Sequence, residues 1–512
     1  MTNLSAQPSV VQMLLNSAAR WPDREALICD GERVSFGEYR DGVAALANDL
    51  VAMGARGRRV ALVMGNGIDI CIAMFAAHAA GSQVVPLNPI YTGRELMQIL
   101  EDADAHVIIH DASVAQVLGP LLALRPVPHV IEVGRPAVGR PAGRRLFDPC
   151  LKELMAGAAL PEPLPEADSL ATLQYTGGTT GRSKGVNVTH RALAVNIAQR
   201  EALLPAGQDG ERILCMMPLF HTYAVAMCLH NAANCGGTLV ILPRFTPEAL
   251  FDLMLAERIT ILAGSPAVFT ALFKHERFSE RYFRNLRMTY SGSAALPEAL
   301  LKRWEAATHA PVLEGYGQSE SGPVLTFNPL NGLRKPQSVG IALPGTQIQI
   351  VDAVDSVSIL GPGRIGEIRA RGPQIMAGYR NRPEETAQAL RDGWLYTGDL
   401  GELDTDGYLY IRDRKKDMVL VSGFNVYPRE VEEVLCLHPA VLEAAVIGIG
   451  DEQRGALIKA FVALRPGADA TAETLDAHCR LNLAPYKVPR VYVFLDRLPK
   501  TTVGKTDKKQ LN

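Results

Sequence analysis

The chain has 512 residues, a net charge of −2, 47% hydrophobic and 21% charged residues, and eight cysteines with no C-x-x-C pair. Such a length accommodates several domains with large cores, and the near-neutral charge gives no electrostatic footing for nucleic acid or an anionic membrane. Scattered cysteines suggest neither a disulfide framework nor a zinc site, the N-terminal M-T-N-L-S-A-Q-P-S lacks signal-peptide features, and no apolar run is bilayer-length, so a cytoplasmic protein is expected.

From Arg59 the pattern alternates strand and helix. V-A-L-V-M (60–64) suits a buried strand, Ile68 to Ala80 a helix ended by Gly81, and V-V-P-L (84–87) the next strand. Thr92 and Glu95 form a capping box ahead of a helix, and H-V-I-I-H (106–110) returns as strand. This β-α-β succession implies parallel sheet covered by helices. Ala115 to Pro165, rich in Pro, Gly and Arg, is expected to be an irregular connection.

Thr176 to Gly185, T-G-G-T-T-G-R-S-K-G, follows. Gly177, Gly178 and Gly181 permit backbone angles and close approaches that a Cβ forbids. A loop of this kind can turn its N–H groups inward as an anion nest, with hydroxyls and Lys184 adding donors and charge; the matching ligand is a polyphosphate. A Gly/Thr-rich surface turn is the alternative reading of these residues alone. The spacing is not that of a Walker A loop, and no G-x-G-x-x-G follows a strand.

Residues 213–223 are expected as strand then loop, and Thr246 with Pro247 as a helix start. I-T-I-L-A-G-S-P (259–266) and M-T-Y-S-G-S-A (288–294) read as strands with turns, and Gln337 to Gly378 as a smaller, more antiparallel region. The clearest boundary lies after Asp413. It is followed by the helix R-E-V-E-E-V-L, two strands, a helix near Leu475–Leu481 and the strand V-Y-V-F-L. The fold expected is therefore α/β: a large N-terminal domain (1–413) of α/β subdomains with a β-rich subdomain, and a small α+β C-terminal domain (414–512).

T-G-G-T-T-G-R-S-K-G resembles the phosphate loop of the adenylate-forming superfamily, which comprises acyl-CoA synthetases, luciferases and peptide-synthetase adenylation domains. It departs from the usual pattern at Gly177, where Ser is common, and at Ser183, where Pro is common. E-G-Y-G-Q-S-E (314–320) resembles the family's Y-G-x-T-E motif, with Ser319 replacing Thr. The resemblance implies an ATP site from Thr176, Gly177, Gly178, Thr179, Thr180, Gly181, Lys184, Gly315, Tyr316, Gly317 and Ser319, with Glu320 holding Mg²⁺. W-L-Y-T-G-D-L (394–400) resembles the ribose motif, in which Asp399 accepts from the ribose hydroxyls and Arg414 adds a donor fork. Lys416 matches the hinge (414–417) on which a mobile C-terminal domain swings. V-S-G-F-N-V-Y-P (421–428) resembles the acyl-CoA ligase branch and assigns Gly423 and Phe424 to CoA. L-P-K-T-T-V-G-K (498–505) resembles the terminal signature, making Lys505 catalytic beside Glu320 and Thr176.

P-L-F-H-T-Y-A-V-A-M (218–227) resembles the acid-binding segment, so His221, Tyr223 and Met227, with Ser293 and Ala294, are expected to line that pocket. No acid occurs between Arg212 and Glu248, which argues against an amino-acid substrate, and glycine at 315 supplies no cation for a diacid. The closest resemblance is to bacterial fatty-acid:CoA ligases. An acyl-CoA synthetase for a fatty acid, using ATP, Mg²⁺ and coenzyme A, is therefore expected. Aryl acid ligases are the alternative, and a luciferase-like oxidative enzyme or a non-catalytic nucleotide-binding protein are remoter ones. The expected partners are a small carboxylic acid and CoA, without nucleic acid. Peripheral membrane association and the choice between monomer and homodimer stay open.

Overall fold

Short, uniformly apolar strands separated by helices form parallel sheet wherever both faces are covered, and two such sheets are present. The computed structural model describes residues 7–134, 157–176, 183–207, 210–421, 424–451, 455–501 and 506–511. The chain packs as two compact units, Met1–Gln347 with Arg371–Leu395, and Ile348–Ala370 with Tyr396–Asn512.

In the first unit one sheet runs in the order Gly378–Tyr379, Lys184–Thr189, Leu170–Thr176, Gln83–Leu87, Arg59–Val63, Ala105–Asp111, His129–Val133. Arg59–Val63 pairs in parallel with strands on both sides, whereas Leu170–Thr176 and Lys184–Thr189 form an antiparallel hairpin. The second sheet contains the parallel run Arg212–Cys215, Ile261–Gly264, Met288–Ser291, Val312–Tyr316, so the carboxyl ends of these strands share one edge.

Helix boundaries follow the local chemistry. Thr92 and Glu95 exchange the two bonds of a capping box, and Thr246 Oγ1 accepts from the Ala249 N–H with Pro247 at the first helical position. Ile68–Ala79 is buried along its length, and Gly81 follows it at φ +72°. The stretch expected to be irregular carries a helix, Ala115–Leu124, and an edge strand, His129–Val133. Gly119 and Pro120 read as breakers, and Leu118 alone of that helix is buried, so no apolar period announced it.

The second unit holds a small sheet that includes 396–403 and Leu409–Arg414, paired antiparallel. It also holds a three-stranded sheet, Val441–Asp451, Gly455–Leu464 and Val491–Phe494, carrying the helices Pro428–Leu437 and Ala472–Asn482. Val431, Leu435, Val446, Ile458 and Leu475 form its core. Asp413 lies inside this unit. Among the described residues no helix is long and apolar enough to cross a membrane.

Candidate active site

Ligands of open α/β sheets bind beyond the carboxyl ends of the strands, and in the first unit Gly315 and Tyr316 stand at such an end. Val312–Tyr316 delivers Gly315 and Tyr316, and the short helical turn Ser319–Ser321 carries Glu320. The glycines here answer to the protein's own packing. A Cβ at Gly315 would lie 2.5 Å from the Phe327 ring, and one at Gly317 would lie 1.9 Å from the Pro323 carbonyl oxygen. Any side chain at either position would force the Tyr316 loop apart.

Glu320 is tied to the glycine-rich hairpin by a residue outside both motifs. The Tyr379 hydroxyl donates to Glu320 Oε1 at 2.8 Å, and Lys184 Nζ stands 5.1 Å from the centre of the same ring. Tyr379 is in place because Gly378–Tyr379 pairs antiparallel with Asn187 and Val186, and Thr386 Oγ1 accepts from its N–H at 2.9 Å. Burial, then the charge of Glu320, raises its pKa, which keeps the hydroxyl a donor. Thr176 closes the hairpin opposite Lys184. Beneath them the Tyr175 hydroxyl donates to Asp102 at 2.6 Å.

Of the acid-binding candidates, Tyr223 reaches the ends of two neighbouring strands. The Tyr223 N–H donates to His221 Nδ1 at 3.2 Å, and the Tyr223 hydroxyl donates to the Gly264 carbonyl at 3.4 Å. The Tyr223 ring occupies the space a Cβ at Gly292 would need, at 3.2 Å. Ser293 follows at φ +69°, a strained angle for a residue with a side chain, and Ala294 is exposed. The expected loop at the end of 213–223 gives way to helix at Thr222, which continues to Cys235 with a π turn at Val225–His230, and Met227 within that turn is fully buried.

In the second unit Asp399 and Arg414 are cross-strand partners, and Arg414 Nε lies 3.4 Å from Asp399 Oδ1. Lys416 sits in the turn closed by the Asp417 N–H donating to the Arg414 carbonyl. Burial lowers the Lys416 pKa, and the positive Arg414 adds to this. Its neighbour Lys415 is pinned, with Nζ 2.7 Å from Glu367 Oε2 and 3.0 Å from Ser356 Oγ. Gly177, Gly178, Thr179, Thr180, Gly181, Gly423 and Lys505 lie outside the described residues, and Phe424 is described only as backbone of the strand Phe424–Val426.

Sequence reading missed several residues at this edge. Tyr379 is the first. Glu314, 4% exposed, accepts from the Leu296 N–H at 3.1 Å and so fixes the loop bearing Ser293. Ser291 is fully buried at the end of its strand, and its hydroxyl has no partner among the described residues. The strand-end pattern of Ser291 was visible in the sequence, but nothing local announced Tyr379. No group of three or more His, Cys, Asp or Glu suited to a metal occurs among the described residues. A lone carboxylate such as Glu320 fits Mg²⁺, which keeps most of its ligands as water and substrate phosphate.

Residues 14–380 match the family of AMP-binding enzymes, and 430–505 match the AMP-binding enzyme C-terminal domain. The chain is 37% identical to a long-chain-fatty-acid–CoA ligase of Bacillus subtilis (strain 168), over 98% of this chain and 93% of that one. It is 36% identical to a feruloyl-CoA synthase of an Amycolatopsis species, over 95% and 96%. Among solved structures, ATP-bound MatB from Rhodopseudomonas palustris superposes with a TM-score of 0.90 at 32% identity, covering 98% of each chain. The chain belongs to the AMP-binding enzymes of the adenylate-forming superfamily, in its acyl-CoA synthetase branch.

Proposed function

We infer that this chain is an ATP-dependent carboxylic acid:CoA ligase that activates a medium- or long-chain fatty acid. In the first half-reaction a carboxylate oxygen attacks the α-phosphorus of ATP, and the bond to pyrophosphate breaks. In the second, the CoA thiol attacks the acyl carbonyl of the adenylate, and AMP leaves with the anhydride oxygen. The observation that supports this reading is the convergence on Tyr379 of Lys184, from the glycine-rich hairpin, and Glu320, from the turn after Tyr316.

Tyr316 offers a ring face to adenine, and Asp399 with Arg414 holds the ribose. Thr176 and the glycine loop cradle the phosphates. Mg²⁺ bound to Glu320 would neutralise charge on the phosphate oxygens. Lys505 bridges the carboxylate and α-phosphate, drawing two anions together. The C-terminal domain (414–512) then turns about Lys416, withdrawing Lys505 and bringing Gly423 and Phe424 to the pantetheine arm. The use of ATP and CoA as co-substrates is consistent with a cytoplasmic setting. The likeness to a feruloyl-CoA synthase favours an aryl acid as the second reading.

Splitting the half-reactions tests the assignment. Lys505→Ala should lower acid-dependent ATP–pyrophosphate exchange by about 10²-fold or more, as loss of a transition-state charge contact does. Thioester formation from supplied acyl-adenylate should persist. Equal loss in both assays would show that Lys505 does not act in the first step alone.

A further inference from the structure

Asp413 is the last residue but one of the strand Leu409–Arg414, ahead of the proposed hinge at Lys416, and is 7% exposed. A carboxylate so placed loses hydration and needs donors from the protein. Its Oδ1 accepts from the Arg414 N–H at 2.7 Å, and its Oδ2 accepts from the Arg429 N–H at 2.9 Å. Arg429 lies in the first turn of the helix Pro428–Leu437, where an N–H has no partner within the helix. One turn further along, Glu432 Oε1 lies 2.7 Å from the Lys508 ammonium. Burial raises the Asp413 pKa, and the Arg429 and Arg414 N–H groups and the charge of Lys508 pull it back. Lys508 is fixed to the same body as the helix. Leu511 packs with Phe461 and Leu498, and the Asp507 N–H donates to the Pro499 carbonyl at 2.8 Å.

Asp413 precedes Lys416 in the chain, whereas Arg429, Glu432 and Lys508 follow it. A rotation at Lys416 carries those partners away from Asp413, so the contacts hold in only one of the two orientations. The neighbouring residues say which. Arg414 Nε lies 3.4 Å from Asp399 Oδ1 across the same pair of strands. That pair is proposed to hold the ribose, whose 5′ carbon carries the α-phosphate. Lys508 is three residues beyond Lys505, a stretch of chain that spans at most about 11 Å. Holding Lys508 beside the ribose-binding strand therefore tethers the chain that carries Lys505 where the first half-reaction needs a cation.

We propose that Asp413 is a positioning residue that clasps the C-terminal domain for adenylation, through the Arg429 N–H and Lys508, and that this clasp opens before the thioester step. The proposal rests on the acyl-CoA ligase reading. A carboxylate that merely finished a rigid helix end would support both half-reactions alike. A contact made in one orientation stabilises that orientation alone, and its loss moves the population toward the other. A hydrogen bond to a charged group shifts such an equilibrium by roughly tenfold or more.

The test compares two rates in Asp413→Ala and Asp413→Asn. One is octanoate-dependent ATP–pyrophosphate exchange, and the other is CoA thioester formation from supplied octanoyl-adenylate. Their ratio does not depend on the fraction of folded protein. The thioester-to-exchange ratio should rise about tenfold in Asp413→Ala. It should rise roughly threefold in Asp413→Asn, which keeps one neutral acceptor for the Arg429 N–H. Lys508→Met, which removes the cation facing the carboxylate, should move the ratio in the same direction. A ratio that stays at the wild-type value or falls in Asp413→Asn overturns the proposal, whether or not the alanine variant is soluble. Wild type showing neither rate with octanoate or any other carboxylic acid defeats the ligase reading itself. Wild type showing both rates, with an unmoved ratio in the variants, defeats the clasp alone.

Discussion

Glu320 and Lys184 belong to separate motifs, and Tyr379, the residue that joins them, belongs to neither. The motif residues were legible because each stands among glycines and hydroxyls that mean little in a core. Tyr379 was not, since its place depends on a two-residue strand pairing with a distant hairpin. At Gly315 and Gly317 the Phe327 ring and the Pro323 carbonyl claim the space of a Cβ, a tertiary reason for glycine that the local sequence does not carry. Tyr379→Phe isolates the joining bond. A hydrogen bond to a charged group contributes about 1.5–3 kcal/mol, so exchange activity should fall roughly tenfold or more, with a higher half-saturating Mg²⁺. Wild-type exchange and an unaltered Mg²⁺ titration would show that the hydroxyl does not position Glu320.

Among elements, those with caps and periods are legible in the sequence, whereas the loop expected to end the 213–223 segment is already helix from Thr222. T-Y-A-V-A-M-C-L-H-N-A-A-N-C is apolar on all sides, so neither helical nor strand period emerges, and a π turn has no sequence signal of its own. The segment proposed as the hinge, 414–417, is held by contacts that its composition does not specify. Lys415 is held by Glu367 and Ser356, and Asp413 Oδ2 accepts from the Arg429 N–H at 2.9 Å, so Lys416 lies between anchored neighbours. Lys416→Pro fixes φ near about −65°. Adenylation should survive and thioester formation should fall at least tenfold, as measured by separate exchange and CoA-consumption assays. Normal rates in both would place the pivot elsewhere.

For the whole molecule, the alternation of buried strands and helices made the parallel sheets legible, while the grouping of 348–370 with the C-terminal segment is a tertiary fact with no local mark. The buried histidines were equally silent, because each is a lone His on its own element. They give the first unit a pH dependence. Burial lowers the pKa of His190 to about 4 and of His230 to about 3, and that of His78 well below its ordinary value. With folded pKa values below the unfolded one, stability is complete above about pH 6.5 and is lost as pH falls through the window below it. Each histidine contributes a slope of about 1.4 kcal/mol per pH unit, so the three together approach about 4. Trp21, Trp304 and Trp394 all lie in the first unit, so tryptophan fluorescence in urea reports it directly. Its midpoint should drop steeply from pH 6.5 to 5, and less steeply in His230→Leu; a flat midpoint would mean the imidazoles are solvated. In the proposed reaction an uncharged apolar pocket selects an alkyl carboxylate for transfer to CoA. The direct measurement is acid- and CoA-dependent release of AMP and pyrophosphate over straight-chain acids, benzoate and a hydroxycinnamate. From C4 to at least C8, kcat/KM should rise by about tenfold for each two carbons, with octanoate above benzoate. A preference for benzoate or the hydroxycinnamate over every fatty acid would contradict it.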